Sequence, residues 1–449
     1  MLVFELKLHG TDSQYQSIDE MIRTARFIRN SCLRYWMDNR GVGQYDLSKL
    51  CAVLAKEYEW AGKLNSMARQ ASAERAWSAI KRFYDNCKQK KQGLKGFPRF
   101  KKRSHSVEYK TSGWKLSSDR QSLTFTDKFE AGTFKLIGTR DLNFYQIEQI
   151  KRVRVVRRAD GYYAQFCIDV ERSESHEWSG RVVGIDVGLE YFYTDSDGNT
   201  VENPRFLRKS EKALKRSQRR VSRRKKGNKN HKKAINRMAR KHLKVSRQRR
   251  DFAVKAALSL VRSADLIAYE DLQVQNMVRN HHLAKSISDV SWSLFLKWVE
   301  YLGRIHGIVV VAVPPQYTSQ DCSRCGHRQK KTLSTRTHEC VKCGLKLHRD
   351  PRVLRKNQSP ANSLHNSAIE IRNKGLQKLG ASTAGLAGIH ACEQNDLCTV
   401  EETQPCKPTG RSRKSVEQSM ESPSIITSAQ ARRNLEAEDV KQSGDIIYT

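Results

Sequence analysis

The stretch RVVGIDVGLEYFYTDSDGN, residues 181–199, decides the fold of this chain. Its first half is an apolar strand that ends in the carboxylate Asp186, and Gly188 then lets the backbone turn tightly. A second strand follows and closes in the turn sequence DSDGN. The later strand LIAYE has the same form, because it is apolar throughout and ends in Glu270.

A helix and another strand follow this second acid. SWSLFLKWVEYLGRIHG, residues 291–307, has helical periodicity, and IVVVAVPP, residues 308–315, is a third buried-type strand. Strands that alternate with helices predict a parallel or mixed α/β sheet. Carboxylates at the ends of strands in one sheet can converge on a shared pair of metal ions, which would clamp a phosphodiester for attack by water. An acid after a single strand is usually a turn residue. The prediction of a metal site therefore depends on there being two such strands, each ending in an acid.

The composition points to a polyanionic partner. The 449 residues include 83 Lys and Arg against 47 Asp and Glu, a formal net charge of +36. Nucleic acid is the partner that best neutralises such an excess. No apolar run approaches the roughly 20 residues needed to span a bilayer, and the N-terminus MLVFELKLHG lacks signal-peptide architecture. We therefore expect a cytoplasmic protein without a membrane partner.

Four of the 11 cysteines form two CxxC pairs with the spacing of a zinc site. Cys322 and Cys325 are separated by 14 residues from Cys340 and Cys343, and each pair is followed by glycine. Four thiolates arranged in this way complete a closed tetrahedral shell for structural Zn²⁺. A redox dithiol is the alternative, but neither pair lies in a thioredoxin-like context.

The N-terminal part reads as a β-domain that carries a helical insertion. Residues 2–9 alternate as a strand, Ser17 and Glu20 predict a capping box at a helix start, and residues 46–58 and 64–90 are helical. Residues 120–171 become strand-like, with a hairpin at Asp160-Gly161. After about residue 380 the chain is polar and without periodicity, which predicts a disordered tail.

Two stretches concentrate the positive charge. GFPRFKKR, residues 96–103, places four cations around two aromatic rings, which could stack on bases or pack in the core. Residues 205–250 contain 22 Lys or Arg and a single acid, interrupted by apolar residues, and predict a long helix or helical hairpin. Such a one-sided balance is atypical of a merely solvated helix and favours contact with phosphates. The candidate nucleic-acid-binding residues are Arg99, Lys101, Lys102, Arg103, Arg219, Arg220, Arg223, Arg224, Lys225 and Lys226.

The motifs GIDVGLE, AYEDLQVQNM and YTSQDCSRCG…HECVKCGLKL, in this order, resemble the TnpB family of transposon-encoded RNA-guided DNA nucleases, which are related to type V CRISPR effectors. The resemblance covers roughly residues 1–350 and resumes at NSAIEIRNKGL. It implies an α+β multidomain protein with an N-terminal β-barrel, a helical lobe and a RuvC-like nuclease domain of RNase H type that contains the zinc ribbon. It further implies two catalytic Mg²⁺ ions, a guide RNA from the protein's own locus, and double-stranded target DNA with a short adjacent motif.

The resemblance assigns catalytic acids to Asp186 and Glu270 and leaves two registers for the third. The family's third motif joins an Asp closely to Asn-Ala/Ser-Ala, whereas residues 351–365 here separate Asp350 from NSAIEI. If these residues loop out, Asp350 is the third metal ligand. If the motif is counted back from Asn366, the acid position falls on Leu364, which binds no cation. We favour Asp350.

These features predict the following organisation. The β-barrel domain comprises residues 1–12 and 104–178, the helical lobe 13–103, the nuclease domain 179–318 and 345–380, the zinc ribbon 319–344 and the tail 381–449. The expected function is that of an RNA-guided, metal-dependent DNA endonuclease of a transposable element. The alternative is a nuclease-inactive RNA-guided DNA-binding protein, acting as a repressor or transposition accessory factor. A plain zinc-ribbon DNA-binding protein would leave the paired acids unexplained.

Overall fold

The computed structural model describes residues 2–89, 93–330, 337–348 and 366–380, all within one compact unit, Met1–Gly388. Asp350, Leu364 and the tail 381–449 lie outside the described residues. Among the helices described, none is long and apolar enough to cross a membrane.

Seven antiparallel strands form the N-terminal sheet, in the order β2-β6-β7-β1-β5-β4-β3. The strands are β1 Leu2–His9, β2 Ser106–Tyr109, β3 Trp114–Leu116, β4 Ser122–Phe125, β5 Gly132–Ile137, β6 Ile150–Arg158 and β7 Gly161–Ile168. A 3₁₀ turn, Ile147–Gln149, precedes β6. The predicted β6–β7 hairpin is present, with Ala159 and Asp160 as its turn residues and Arg158 paired with Gly161. β1 pairs with both β5 and β7 at the centre of the sheet.

Four helices are inserted between β1 and β2. They are α1 Asp12–Asp38, α2 Gln44–Glu57, α3 Glu59–Gly62 and α4 Ser66–Lys88. The predicted capping box at Ser17 is wrong, because α1 begins five residues earlier, with Thr11 as N-cap and a capping box completed by Gln14. The Gln14 side chain also donates to the backbone oxygens of Ala131 and Thr133, so tertiary contacts help to place this helix start.

The predicted β-barrel is not closed in the part of the chain that the structure describes. Its edge strands β2 and β3 pair only with β6 and β4, respectively. A single apolar core joins the sheet to the inserted helices: Leu8 and Phe134 of the sheet share it with Ile18 of α1 and Ile80 of α4. The helices therefore cover apolar surface that barrel closure would otherwise bury.

A second sheet has five strands in the order β10-β9-β8-β11-β12. Its strands are β8 Val182–Val187, β9 Tyr191–Asp195, β10 Thr200–Glu202, β11 Leu266–Glu270 and β12 Val309–Val313. β8, β11 and β12 are parallel, whereas β9 and β10 run antiparallel to their neighbours. This mixed sheet is consistent with the RuvC-like fold, and the whole is a mixed α+β protein.

Helices cover both faces of the second sheet. They are α5 Phe206–Ser222, α6 Lys229–Arg262, α7 Val274–Met277, α8 His281–Val290, α9 Trp292–Ile305 and α10 Asn366–Lys378. Val183 and Ile185 of β8 pack in one core with α6 and α9. On the opposite face, Leu266 and Ala268 of β11 pack against Ile371 of α10. The basic stretch forms the predicted helical hairpin, α5 and α6.

Two short antiparallel strands, β13 Thr337–Glu339 and β14 Lys346–His348, lie between β12 and α10 along the chain. They bring the second CxxC pair back beside the first. A small zinc-ribbon-like unit results.

Candidate active site and zinc cluster

Asp186 and Glu270 lie side by side at the carboxyl end of the second sheet. The parallel ladder pairs Ile185 with Tyr269, so the next residues along the two strands, Asp186 and Glu270, are neighbours. Adjacent strands lie about 4.8 Å apart. Both carboxylates lie on the sheet face that α10 covers, because Gly184 and Ala268, two residues earlier, contact that helix. The structure thus brings together the two acids that the sequence singles out.

Other carboxylates of this sheet serve its structure. Asp195 pairs with Ile185 and therefore lies on the opposite face from Asp186. It accepts hydrogen bonds from the backbone N–H groups of Asp197 and Asn199, at 3.0 and 2.7 Å, and thereby holds the DSDGN turn. Asp265, at the start of β11, accepts from Ser179 and contacts His176 at 2.7 Å. Their hydrogen bonds give both acids a role in the fold.

The sequence reasoning missed Thr318, a buried residue in the loop after β12. Its hydroxyl donates to Glu270 Oε1 and also lies 3.1 Å from the backbone oxygen of Pro315. A hydroxyl in this position orients the carboxylate and limits its rotation. The signals in the sequence are that Thr318 follows an apolar strand and lies within the motif YTSQDCSRCG, and neither indicates its partner.

Hydrogen bonds hold the first residue of α10 near the carboxyl end of the second sheet. Leu376, near the C-terminus of the helix, packs at the strand starts with Val182, Leu266 and Val309, so the helix N-terminus lies toward the strand ends. Asn366 donates to the backbone oxygen of Asp321 at 2.8 Å and accepts from the N–H of Ser323 at 3.0 Å. The chain that precedes α10 therefore joins the helix near the acid pair.

The four CxxC sulfurs form one cluster. All four lie within 4.8 Å of one another; Cys322 and Cys343 are 3.6 Å apart, and Cys325 and Cys340 are 3.5 Å apart. Four sulfurs at about 2.3 Å from a single ion would be separated by about 3.8 Å, so the set fits zinc. The glycine after each pair, Gly326 and Gly344, has a φ of +68°, which the tight knuckle requires.

The thiols of this cluster differ widely in acidity. Burial acts to raise the pKa of Cys340, but backbone N–H groups of Cys343 and Lys342 and the thiol of Cys325 outweigh it and hold that pKa at about 6. The N–H of Leu345 acts to lower the pKa of Cys343, yet burial and the neighbouring thiols raise it to about 12. Thiolates this close together repel one another, and a bound divalent cation offsets this repulsion.

All ten predicted nucleic-acid-binding cations are exposed, and they occupy two places. Residues 99–103 cross α1 as an extended segment, which we call the strap. Arg219 and Arg220 lie in the last turn of α5, Arg223 is its C-cap, and residues 224–226 lie in the connection to α6. The chain thus offers cations at two separate positions in the fold.

Comparison with known proteins places these motifs in a family. Residues 165–281, which contain both acids, match the family model OrfB_IS605, described as "Probable transposase". Residues 292–351 match the TNB domain of the Cas12f1-like family and contain all four clustered cysteines. These two segments place the chain's acid and cysteine motifs in the TnpB/OrfB_IS605 family, with a Cas12f-like TNB domain.

Two curated proteins match most of the chain. A protein of Streptomyces pristinaespiralis named "Putative RNA-guided DNA endonuclease" is 28% identical over 364 residues, which cover 78% of this chain and 87% of that protein. "Putative RNA-guided DNA endonuclease InsQ" of Escherichia coli strain K12 is 28% identical over 362 residues, 75% of this chain and 86% of the relative. Among solved structures, one titled "Cryo-EM structure of the Cas12f1-sgRNA-target DNA complex" aligns with a TM-score of 0.49 at 14% identity, covering 80% and 82% of the two chains.

Proposed function

We propose that this protein is an RNA-guided, metal-dependent DNA endonuclease of a transposable element, with Asp186, Glu270 and Asp350 as its catalytic carboxylates. The observation that carries the proposal is the adjacency of Asp186 and Glu270 on one face and at one end of the second sheet. Two curated relatives named as RNA-guided DNA endonucleases support the same activity.

The acid pair suits Mg²⁺, because carboxylate oxygens are the ligands that this hard cation prefers. When bound, two such ions supply a nucleophile at neutral pH and stabilise the leaving oxygen of a phosphodiester. Asp186 and Glu270 would hold them, and Thr318 keeps one oxygen of Glu270 oriented. Asp350 would complete the set from the chain that leads to α10.

The partners proposed are a guide RNA from the protein's own locus and double-stranded target DNA with a short adjacent motif. The charge of +36 and the two exposed cationic positions support binding of a long polyanion through its backbone. Base pairing with the guide would then supply sequence choice, which backbone contacts cannot. The division of the chain into a β-domain, helical lobe, nuclease domain and zinc ribbon, at the boundaries given above, belongs to this proposal.

The test is cleavage of a matched double-stranded target by protein co-expressed with RNA from its own locus. The target carries a randomised flank, and reactions contain Mg²⁺ or a chelator. We expect Mg²⁺-dependent cutting that is lost in Glu270→Gln and in Asp186→Ala, with RNA binding retained. Asp271→Asn is the matched control, because this neighbouring acid is exposed and alternates to the other face of the strand. Cutting by Glu270→Gln would contradict the assignment.

The variant Asp350→Ala decides the third ligand. Loss of cutting in this variant supports Asp350, whereas retained cutting removes it from the site. Guide-dependent target binding without cutting by the parent protein would instead support the nuclease-inactive alternative, in which residues 351–365 have separated the third acid from its motif.

A further inference from the structure

A cavity of about 450 Å³ lies between α1, α4, β6, the strap and the residues that follow the strap. Six cations from four parts of the chain line it: Arg26, Arg29, Arg75, Arg82, Lys101 and Arg154. The rest of its lining consists of alanine and serine side chains, and no carboxylate is among the lining residues described. Small neutral walls with cations on several sides leave room for an anion.

The only carboxylate bonded to these cations among the described contacts is Glu108, which lies behind the wall of the cavity. Arg75 and Arg154 bind its Oε2 at 3.0 and 2.7 Å, and Arg152 binds its Oε1 at 2.7 Å. Glu108 thus serves three guanidinium groups, of which Arg152 also contacts Glu74 at 3.2 Å. The cavity keeps a net positive charge after Glu108 is counted.

Arg29 gives the strongest indication that the cavity suits an anion. It is only 8% exposed, and in the contacts described its guanidinium donates to two neutral oxygens, that of Asn30 at 3.1 Å and that of the Arg99 backbone at 3.3 Å. Burial, followed by repulsion from Arg75, lowers the pKa of Arg29 below its ordinary value. A buried cation without a counter-charge is costly, and an anion in the cavity would offset that cost.

The strap is held in place over this site. Asn30 donates to the backbone oxygen of Lys101 and accepts from its N–H, both at 3.0 Å, and Arg26 donates to the backbone oxygen of Lys102 at 2.6 Å. These bonds use the strap's backbone and leave its cationic side chains exposed. The lining cations are therefore arranged before any ligand arrives, which lowers the entropy lost on binding.

A second groove of about 570 Å³ adjoins the cavity, and Arg26 lines both. It contains the exposed rings of Tyr35 and Phe100, with the guanidinium of Arg34 lying 5.1 Å from the centre of the Phe100 ring. Exposed aromatic rings beside a cationic groove are the surfaces on which nucleic-acid bases stack. The pair of cavities has the composition expected for a phosphate and its neighbouring base.

We propose that the cationic cavity binds one backbone phosphate of a nucleic acid, and that the adjoining groove receives the neighbouring base. The proposal rests on the proposed function only in taking nucleic acid as the source of the phosphate. Arginine recognises phosphate through two parallel N–H donors, which explains a site built mainly from arginine.

The first experiment compares Arg82→Ala with Lys81→Ala. Both residues are exposed, adjacent on α4 and equal in charge, but only Arg82 lines the cavity. Binding of a fluorescent single-stranded RNA and of its DNA counterpart is measured over a range of salt concentrations. Losing one phosphate contact should reduce the slope of log K against log salt by about 1. We expect this reduction for Arg82→Ala and an unchanged slope for Lys81→Ala.

The second experiment uses inorganic phosphate with the nucleic-acid-free protein at constant ionic strength. Phosphate should raise the melting temperature of the parent and of Lys81→Ala, and raise it less for Arg82→Ala and Arg29→Gln. Equal slopes for Arg82→Ala and Lys81→Ala would overturn the nucleic-acid assignment, even with phosphate protection, since the source would then be a free phosphate. Absence of protection in the parent would overturn the site. If both binding experiments give the expected results but the protein does not cut DNA, the phosphate site is supported and the proposed endonuclease activity is contradicted.

Discussion

At the scale of the residue, the acid pair depends on a neighbour that the sequence does not reveal. Thr318 donates its hydroxyl to Glu270 Oε1, and the residue is buried. A carboxylate that lost this bond could rotate away from a metal-binding orientation. The fold would be little affected, because only one small polar group is concerned.

We therefore predict that Thr318→Val raises the Mg²⁺ concentration needed for half-maximal cleavage by roughly 10-fold or more, the usual effect of losing a residue that orients a metal ligand. Thr318→Ser keeps the hydroxyl and is the control, with near-parental behaviour expected. The measurement is a Mg²⁺ titration of the cleavage rate. Identical titrations for Thr318→Val and the parent would contradict this role.

Glu108 should make stability depend on pH. Burial alone would raise its pKa, but Arg75, Arg152 and Arg154 outweigh burial and lower the pKa to about 2. Since the folded pKa lies below the unfolded one, the stabilisation is present above about pH 4.5 and is lost as the pH falls toward 2. The shift corresponds to about 3 kcal/mol in the free energy of unfolding.

Urea unfolding of Glu108→Gln at pH 7 and at pH 3 tests this prediction. The variant should lose about 3 kcal/mol at pH 7, and the difference from the parent should shrink at pH 3. Glu20→Gln removes an exposed carboxylate that pairs with Arg23, and should change stability by less than about 1 kcal/mol. A difference that stays constant between the two pH values would exclude the linkage.

At the scale of the element, α10 lies in direct contact with the backbone of β8. A Cβ added at Gly184 would come within 2.1 Å of the Ala368 oxygen and 2.5 Å of the Arg372 nitrogen. Both are backbone atoms of the helix and cannot move aside as a flexible side chain can. The contact sets how closely α10 approaches the acid pair.

We predict that Gly184→Ala lowers the free energy of unfolding by at least about 1–3 kcal/mol and impairs cleavage, because α10 must shift away from the sheet. Gly43→Ala is the matched control: a Cβ there would meet only the Asp46 Oδ2 atom, at 3.6 Å. Denaturant unfolding midpoints of the two variants provide the measurement. Equal midpoints for the two variants would contradict the close contact between α10 and Gly184.

At the scale of the whole molecule, the four-cysteine cluster follows β12 along the chain and is bonded to α10. Asn366 and Asn373 of α10 both bond to the backbone of Ser323, which lies inside the first CxxC pair. Loss of the metal should therefore disturb the ribbon and the placement of the α10 N-terminus. The N-terminal sheet, which has its own core, should be spared.

We predict one zinc ion per chain by elemental analysis, and nearly none in Cys340→Ser. The exposed Cys87 lies outside the cluster, so Cys87→Ser should retain the metal. Removal of zinc with a chelator, followed by restoration of Mg²⁺, should lower the cleavage rate and expose the ribbon to proteolysis. Retention of a full equivalent of zinc by Cys340→Ser would contradict the four-sulfur site.

The sequence by itself determined what depends on near neighbours along the chain. Apolar periodicity identified β8, β11 and α9, and the strand-end positions of Asp186 and Glu270 identified the candidate acids. The spacing of the two CxxC pairs predicted their cluster, because a knuckle is a local backbone structure. The family resemblance added the order of these parts.

Only the tertiary structure decided what depends on residues distant in sequence. Strand register placed Asp186 beside Glu270, since the pairing of two strands is not encoded in either strand alone. The path of the loop after β12 placed Thr318 against Glu270. A closed N-terminal barrel was expected, but the described sheet is open and the inserted helices pack against it in one apolar core. The cationic cavity gathers side chains from α1, α4, β6 and the strap, which no local pattern connects. Local interactions thus determined the elements, and long-range packing determined the sites.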